Sequence, residues 1–411
     1  MALNTASQRR TTYRHVLAVP RFRLLLATTT LAMAADSLRI ATLAILIYTR
    51  TRSPLLSAVT YGIGFLPQLI GSALLGRLAD SARPRLLIAS GYALESAAAV
   101  TLALAELSTA ASLALVALVA CATPIFGGAA NRLVGQCLTG DAYVVGRSLS
   151  NMASSGAQLG GLAVSGIAVA TMGPHRALLG AGVGYAASAL LIRIRLPDLP
   201  ALKQPADDRV RPLIRGSMLL TKQMLTVPRL RRLLMAFWLP AGFAAGAESL
   251  VVPFSGRSGF PAGSSAWLLA CLPVGMLMGE LVVGRLVPPT VRERSTAPLM
   301  MILGLPLTAF FLAPPYMACA ALLVIAGTGF AYNLGLQRPF FNSIAKPMQG
   351  QGFALLASGL MSVQGVGPAL FGLLAQLDST ARAIAYAGLA IVTTAIWVKV
   401  SLVIGHGIDQ A

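Results

Sequence analysis

Long apolar stretches alternate with short polar and basic segments along almost the whole chain. A transmembrane helix needs about 20 consecutive apolar residues, and the pattern predicts twelve such helices in 411 residues. Proline is predicted to interrupt the second helix at Pro67 and to kink the fourth at Pro124. The predicted helices span residues 23–48, 55–77, 84–106, 110–131, 145–171, 175–194, 230–254, 263–286, 297–314, 316–336, 350–375 and 381–404. The sequence therefore predicts an all-α integral membrane protein.

The second half of the chain repeats features of the first. A glycine-rich helix end followed by a basic turn occurs twice, about half the chain length apart. A second repeated motif occurs in the fifth and eleventh helices, and the two copies are separated by a similar number of residues. The matched residues are Gly71 with Gly279, Gly76 with Gly284, Arg77 with Arg285, Gln158 with Gln364, Gly161 with Gly367 and Gly166 with Gly372. Duplicated halves are a known transporter architecture, so we expect two pseudo-symmetric six-helix halves.

The expected domain boundaries follow from this duplication. The divisions are a polar arm at 1–22, a first half at 23–194, a linker at 195–229, a second half at 230–404 and a tail at 405–411. Basic residues collect in the loops on one side of the predicted helices. By the positive-inside rule, both termini and the linker are expected to be cytoplasmic.

Composition excludes several other classes of protein. The chain is 56% hydrophobic and 11% charged, whereas about a quarter of the residues of a soluble domain are charged. The net charge of +19 does not indicate nucleic-acid binding, because the bases lie in short loops without interleaved aromatic residues. The four cysteines form no CxxC motif, and the three histidines are isolated. We therefore expect no disulfide framework, no metal site, no cofactor and no enzymatic centre.

Ionisable residues inside the predicted spans are candidates for function, because each costs roughly 2.5–3.5 kcal/mol on insertion scales. Asp36 and Arg39 share one face of the first helix, and Glu248 stands near the equivalent position of the seventh. We expect these three to form a cluster in which Asp36 carries a coupling proton. Arg39 would keep Asp36 ionised in the absence of substrate, with Glu248 as its alternative partner. The simpler alternative is a structural Asp36–Arg39 pair.

Two further acids are harder to assign. Glu95 lies near the centre of the third helix. It either faces the second helix in its protonated form or is a second proton site. Glu280 lies near the basic end of the eighth helix and is expected to pair with Arg285, Arg292 or Arg294.

Polar and aromatic residues on four helices could line a substrate cavity. The alternatives are hydrogen bonds between helices for the amides and core packing for the aromatic rings. The candidates are Gln158, Asn333, Gln337, Gln364, Trp238, Phe243 and Phe330. Small residues and one proline on the fifth and eleventh helices are expected to allow close helix packing and bending. They are Gly161, Gly166, Gly367, Pro368 and Gly372.

The loop after the second helix resembles a family signature, Gly-x-x-x-Asp-Arg-x-Gly-Arg. Gly76 and Asp80 match the first glycine and the aspartate of this signature, and Arg83 and Arg85 form its basic tail. The loop thus resembles that of the major facilitator superfamily, although Ser81 stands where that family usually has a base. The resemblance implies a latch in which Asp80 caps the start of the eleventh helix, where the helix dipole favours a carboxylate. The implied cytoplasmic gate comprises Gly76, Asp80, Arg83, Arg85, Glu280, Gly284 and Arg285.

Two other segments refine the resemblance. The run Gly365–Gly372 resembles the Gly-Pro motif of the antiporter branch, although the fifth helix has Leu162 where that proline would stand. The first helix and the following segment Tyr48–Pro54 are similar to macrolide-efflux-like bacterial exporters. These resemblances imply a proton-driven exporter in the bacterial cytoplasmic membrane, which we expect to be a monomer. The broad apolar lining and the few charges favour a small apolar or amphipathic drug or antibiotic as its substrate. The alternatives are an importer or facilitator of an organic anion held by Arg39, and a membrane sensor that transports nothing.

Overall fold

The structure is a computed structural model that describes residues 13–72, 83–138, 141–198, 224–261, 263–344 and 349–408. All regular secondary structure in these residues is helical. The long helices are α1 (Pro20–Thr51), α2 (Pro54–Ser72), α3 (Pro84–Leu104), α4 (Thr109–Cys137), α5 (Asp141–Met172), α6 (Pro174–Arg195), α7 (Pro228–Arg257), α8 (Ser264–Leu286), α9 (Thr296–Leu312), α10 (Tyr316–Asn342), α11 (Gln349–Leu377) and α12 (Thr380–Ile408). Two short helices, Tyr13–Leu17 and Pro289–Arg294, precede α1 and α9.

Eleven helices of the described chain are long and apolar enough to cross a membrane. The ninth helix is shorter, and its last four residues, Ala309–Leu312, form a 3₁₀ turn. A 3₁₀ turn rises about 2.0 Å per residue, against 1.5 Å in an α-helix. The α9 helix therefore extends further than an α-helix of the same length. In chain order, α9 corresponds to the ninth of the twelve spans that the sequence predicts.

Prolines have different effects on two helices of the first half. The α2 helix is interrupted at Ile63 and Gly64 and resumes before Pro67. Proline has no N–H, and its ring clashes with the carbonyl four residues earlier, which here belongs to Ile63. The interruption predicted at Pro67 is therefore one turn earlier. In contrast, α4 is continuous across Pro124.

The two halves share one packing pattern. In the first half, α1 packs against α5 and α6, and α3 packs against α4 and α6. In the second half, α7 packs against α11 and α12, and α9 packs against α10 and α12. Gly161 lies against the Ala34 carbonyl, and Gly367 lies against the Gly242 carbonyl. A Cβ atom at either glycine would collide with that oxygen, so the absence of a side chain permits both contacts.

The halves meet through α2 against α11 and α5 against α8. Gly166 approaches Ala266, while Gly372 approaches Ala58. Pro368 lies beside Gly62, nearer the middle of the bundle. We call the end where α1 begins and α6 ends the basic end, because the arginines at 83, 85, 193 and 195 lie there. The contacts named here run from mid-bundle to the opposite end.

Candidate functional site

A central cavity of about 190 Å³ lies between the two halves near the middle of the bundle. Helices α2 and α5 of the first half and α7, α8, α10 and α11 of the second half contribute to its wall. The lining residues are Tyr61, Phe65, Gln158, Leu159, Ala241, Ala245, Glu248, Pro273, Met276, Leu277, Glu280, Phe330 and Gln364. Gln158 and Glu280 are exposed, so the cavity is open on their side. A cavity shared by two halves can change access when the halves move.

The chemistry of this wall is aromatic and acidic. Two carboxyl groups, those of Glu248 and Glu280, are the only ionisable acids in it, and the described wall contains no lysine or arginine. The Tyr61 hydroxyl of α2 faces the Glu248 carboxyl of α7 across the interface between the halves. The three aromatic rings and the aliphatic side chains supply a broad apolar surface. Such a wall suits a compound with an apolar body and a positive charge.

The position of Glu248 follows from a break in its helix. The regular part of α7 ends at Ser249, and a second segment runs from Val251 to Arg257. Pro253 cannot donate to the Ser249 carbonyl four residues earlier. The Leu250 N–H bonds to the Ala247 oxygen at 3.1 Å instead of continuing the α-helical pattern. Glu248 therefore stands at an irregular turn, where a polar side chain beside the cavity is accommodated.

A separate polar cluster is buried inside the first half. The Arg39 guanidinium donates through Nη2 to Asp36 Oδ1 at 2.5 Å, and the same nitrogen is 3.7 Å from Glu95 Oε2. The Tyr185 hydroxyl of α6 also donates to Asp36 Oδ1, at 3.0 Å. The Thr123 hydroxyl of α4 donates to Glu95 Oε1 at 3.2 Å. We call these five residues the buried cluster; it joins α1, α3, α4 and α6.

Burial within the cluster is uneven. The side chains of Arg39 and Glu95 are 8% and 7% exposed, whereas that of Asp36 is 35% exposed. Two buried polar atoms have no hydrogen-bond partner, Arg39 Nε and Glu95 Oε2. Leaving buried polar atoms unpaired is unfavourable. The cluster is therefore incompletely satisfied in this arrangement.

The structure separates the three residues that the sequence predicts as one cluster. Arg39 contacts Asp36 and Glu95, both in the first half, whereas Glu248 faces Tyr61 in the central cavity. The prediction that Arg39 and Glu248 face each other is wrong for this arrangement. Glu95 faces Arg39 and Thr123 rather than the second helix. Helical position alone did not reveal which sides of α1 and α7 point inward.

Tyr61, Tyr185 and Thr123 were not identified from the sequence. Each is a hydroxyl residue in an apolar helix, and no spacing links it to its carboxyl partner. The sequence offered one indication of such a pair, namely a hydroxyl residue predicted to lie at about the same depth in the membrane as an acid on another helix. It is a weak one, because many hydroxyls in this chain bond to their own backbone; Thr30, for example, donates to the Leu26 oxygen at 2.7 Å.

The seven residues predicted to line a cavity divide into two groups. Gln158, Gln364 and Phe330 lie in the central cavity wall. Trp238 instead donates from Nε1 to the Leu356 oxygen at 3.0 Å, and Phe243 packs edge-on against Phe371. Asn333 and Gln337 lie on α10 outside the described wall, half-buried and exposed respectively. Trp238 and Phe243 therefore contribute to the packing of the helices rather than to the described wall of the central cavity.

Part of the predicted gate lies outside the described residues, namely Gly76 and Asp80. Arg83 donates to Asp198 Oδ2 at 3.1 Å, and Arg85 donates to the Arg193 carbonyl. Both arginines therefore tie the start of α3 to the region at the end of α6 within the first half. Both pairs lie at exposed positions.

The second half of the predicted gate differs from expectation. Glu280 lines the central cavity, and the predicted pairing with Arg285, Arg292 or Arg294 is wrong. Arg292 donates instead to the carbonyls of Gly284 and Val287, at 2.9 Å and 3.0 Å. Arg285 comes five positions after Glu280, a rotation of about 140° around an α-helix, so the two side chains point in different directions. Arg285 is exposed.

A second cavity, also about 190 Å³, lies inside the first half between α1, α4 and α5. Its wall contains Thr29, Thr30, Ser150 and Ser154 together with apolar residues. Within this wall, Arg147 donates to Asn131 Oδ1 at 2.8 Å. We call this the polar cavity. Among the described residues, no group of three or more His, Cys, Asp or Glu side chains could hold a metal ion.

The fold and the cavity between two related halves define a multi-pass membrane transporter. The chain matches the family model described as Major Facilitator Superfamily over residues 24–368. It therefore belongs to the Major Facilitator Superfamily. No curated protein matches the chain in sequence.

Solved structures support the same fold. A mutant form of the nucleoside transporter NupG gives a TM-score of 0.73 at 12% identity, covering 92% of this chain and 99% of that one. A POT family transporter in complex with 5-aminolevulinic acid gives 0.70 at 12% identity, covering 95% and 97%. A bacterial homologue of the human lysosomal transporter Spinster, inward-facing and occupied, gives 0.64 at 15% identity, covering 92% and 94%. At these identities the likeness concerns the fold alone.

Proposed function

We propose that this protein is a proton-coupled exporter of a small amphipathic compound that carries a positive charge, with drugs and antibiotics as the substrate class. The acidic and aromatic central cavity carries the proposal. Its two carboxylates are not balanced by a base in the described wall. A bound cation would supply that balance, and Tyr61, Phe65 and Phe330 offer aromatic faces to it.

Transport would follow alternating access, with the halves rocking about the central cavity. Among the described residues, the close contacts named between the halves run from mid-bundle to the end opposite the basic end, and the cavity is exposed at Gln158 and Glu280. We infer that the arrangement described here is open toward the basic end. Separation of Gly166 from Ala266 and of Gly372 from Ala58 would open the other end.

In the proposed topology, the chain crosses a bacterial membrane twelve times and both termini lie in the cytoplasm. Basic residues at one end of the bundle support that orientation through the positive-inside rule. In this orientation, the cavity described here is accessible from the cytoplasm, which is where an exporter takes up its substrate. The protein would act as a monomer in the lipid bilayer, with the proton gradient as its energy source.

Proton coupling would reside in the buried cluster. It contains two carboxyl groups and one guanidinium, so full ionisation would leave one buried negative charge uncompensated. Uncompensated buried charge is strongly unfavourable, and such groups usually take up a proton. A group of this kind, placed inside one of the two moving halves, can load and release a proton as its surroundings change.

The rival in which Arg39 binds an organic anion is less well supported. The Arg39 side chain is 8% exposed and is already held by Asp36. An anion would have to displace that carboxylate. The rival remains testable, because it predicts transport of a carboxylate such as benzoate.

The test is transport in vesicles reconstituted with the full-length protein and an imposed pH gradient. The probes are tetraphenylphosphonium and ethidium as apolar cations and benzoate as an anion. We expect the gradient to drive movement of the cations, with Glu248→Gln raising the half-saturating concentration about tenfold. Glu106→Gln, which changes an acid beyond the end of α3 and away from the cavity, is the matched control.

Three outcomes would contradict the proposal. Benzoate movement without cation movement would support the organic-anion facilitator. Cation movement that is insensitive to the pH gradient would remove proton coupling but leave the cavity assignment. No movement of any probe in a correctly folded preparation would favour the sensor alternative.

A further inference from the structure

The buried cluster contains a donor and an acceptor that are both unused. Arg39 Nε and Glu95 Oε2 each lack a hydrogen-bond partner. They belong to side chains whose nearest charged atoms are only 3.7 Å apart. A guanidinium can bind a carboxylate through two parallel N–H groups. Rotation of Arg39 toward Glu95 would therefore satisfy both unused atoms at once.

The two carboxyl groups are not equivalent in the present arrangement. Asp36 Oδ1 accepts from both Arg39 and Tyr185, and its side chain is 35% exposed. Glu95 is 7% exposed and accepts only the 3.2 Å hydrogen bond from Thr123. Two donors and partial exposure stabilise a carboxylate, whereas burial with one weak donor favours the neutral acid. The charge imbalance of the cluster is therefore most easily relieved at Glu95.

We propose that Glu95 is the residue that binds the coupling proton, and that Arg39 exchanges between Asp36 and Glu95 as this proton is loaded and released. In the described arrangement Arg39 is paired with Asp36, and Glu95 holds the proton. When Arg39 moves to Glu95, the proton leaves Glu95 and is either taken up by Asp36 or released from the cluster. This inference rests on the proposed function and replaces Asp36 by Glu95 as the proton carrier.

The surroundings of Glu95 are consistent with this role. Arg39 and Asp36 face it from α1, Tyr185 from α6 and Tyr92 from its own helix. Both tyrosines are neutral phenols at physiological pH, so Arg39 is the one cation that faces Glu95 among the described residues. Movement of Arg39 is therefore the change that most strongly alters whether Glu95 holds its proton.

A route for the proton leads through Asp36. Asp36 lies seven residues after Thr29, and positions seven apart share one face of an α-helix. Thr29 lines the polar cavity of the first half. The partly exposed Asp36 is thus on the same face of α1 as Thr29, about two turns further along the helix, whereas Glu95 is more deeply buried. A proton from the polar cavity would reach Asp36 first and Glu95 second.

The experiment is infrared spectroscopy of the protonated carboxyl band in the full-length protein, reconstituted in phospholipid vesicles. It needs no substrate. A Glu248→Gln/Glu280→Gln background removes the cavity acids, and the protein is labelled with ¹³C-carboxyl glutamate or, separately, ¹³C-carboxyl aspartate. At neutral pH we expect a protonated carboxyl band that shifts with labelled glutamate only and that disappears in Glu95→Gln.

Exchange of Arg39 gives a second expectation. In Asp36→Asn, Arg39 has no charged partner on α1 and should pair with Glu95. The Glu95 band should then fade at neutral pH and return only at lower pH. Asp378→Asn, in an exposed pair with Arg382, is the matched control and should leave the band unchanged.

The outcomes separate this inference from the proposed function. A band that shifts with labelled aspartate, or no protonated band at neutral pH, would overturn the assignment to Glu95 while leaving proton-driven transport possible. An unchanged glutamate band in Asp36→Asn would overturn the exchange of Arg39. A glutamate band, together with a wild-type protein that fails every transport assay, would leave the proton site standing and remove its coupling role.

Discussion

The third helix of the first half and the third helix of the second half occupy equivalent places but bury different chemistry. In the first half, α3 brings Glu95 to Arg39 and Tyr185. In the second half, the matching position on α9 is Leu303, which is fully buried among apolar side chains. The two halves therefore share a scaffold, and only the first brings buried charges together at these matched positions.

Close contacts establish this correspondence without reference to the charges. Gly161 with Ala34 corresponds to Gly367 with Gly242, which matches Asp36 to Ala244 and Arg39 to Ala247. Ser96 donates to the Gly182 carbonyl. Gly304 in turn approaches the Gly388 carbonyl, which matches Glu95 to Leu303 and Tyr185 to Ile391. The four second-half counterparts are all buried apolar residues, Ala244, Ala247, Leu303 and Ile391.

The difference separates packing from chemistry. The second half shows that this helix arrangement packs well with alanine, leucine and isoleucine at these positions. Replacing a buried ionic group by well-packed apolar residues is often neutral or stabilising. We therefore expect that the charged cluster is not needed to form the fold, which supports a functional reason for its presence in the first half.

The largest expected effect is that of Arg39→Met. It leaves Asp36 and Glu95 without a base, and removal of one partner of a buried ion pair destabilises by about 3–5 kcal/mol. Thermal unfolding of the purified protein measures the loss. The triple variant Asp36→Asn/Arg39→Met/Glu95→Gln should recover most of it, because the first half then resembles the second. Failure of the triple variant to recover would show that the cluster is required for folding.

A smaller effect, similar in the two halves, is expected for Gly161→Ala and Gly367→Ala. A Cβ at either position meets a backbone oxygen, and overpacking typically destabilises by about 1–3 kcal/mol. Gly160→Ala is the control, since open space surrounds a Cβ there. A loss confined to one half would contradict the equivalence of these two contacts. The thermal unfolding midpoints of the three variants, measured under the same conditions, test whether the two contacts are equivalent.

The smallest effect is expected for Tyr185→Phe. It removes one donor to Asp36 while Arg39 remains, so the loss should be about 0.5–1.5 kcal/mol. The control is Tyr386→Phe, which removes an exposed 3.0 Å hydrogen bond to Asp378 and should have less effect on unfolding. Equal effects of the two variants would indicate that the Tyr185 hydrogen bond contributes no more than a surface contact.

Much of the architecture could be predicted from the sequence. The length of each apolar stretch predicted the helices, since backbone polar groups in a membrane must be satisfied within the helix. The internal repeat predicted two related halves, and the structure shows that matched helices pack alike. Pro67 predicted an interruption of α2 but not its location, because the effect of proline falls on the carbonyl four residues earlier.

The site was less predictable. Asp36, Arg39, Glu95 and Glu248 were all recognised as candidates, because a charge inside an apolar helix stands out. Which of these residues lie together in the structure was not predicted correctly. A sequence places residues along one helix, and the i,i+3 spacing predicted the Asp36–Arg39 contact. It does not give the rotation of one helix relative to another.

The sequence by itself determined that this chain crosses a membrane many times, that its second half repeats its first, and that a few ionisable groups must lie among apolar residues. These properties follow from local composition and periodicity. The tertiary structure alone decided that Arg39 lies with Glu95 while Glu248 lies in the central cavity with Tyr61. The reason is geometric: each helix can present any of its faces to its neighbours, and only the packing of all the helices selects one.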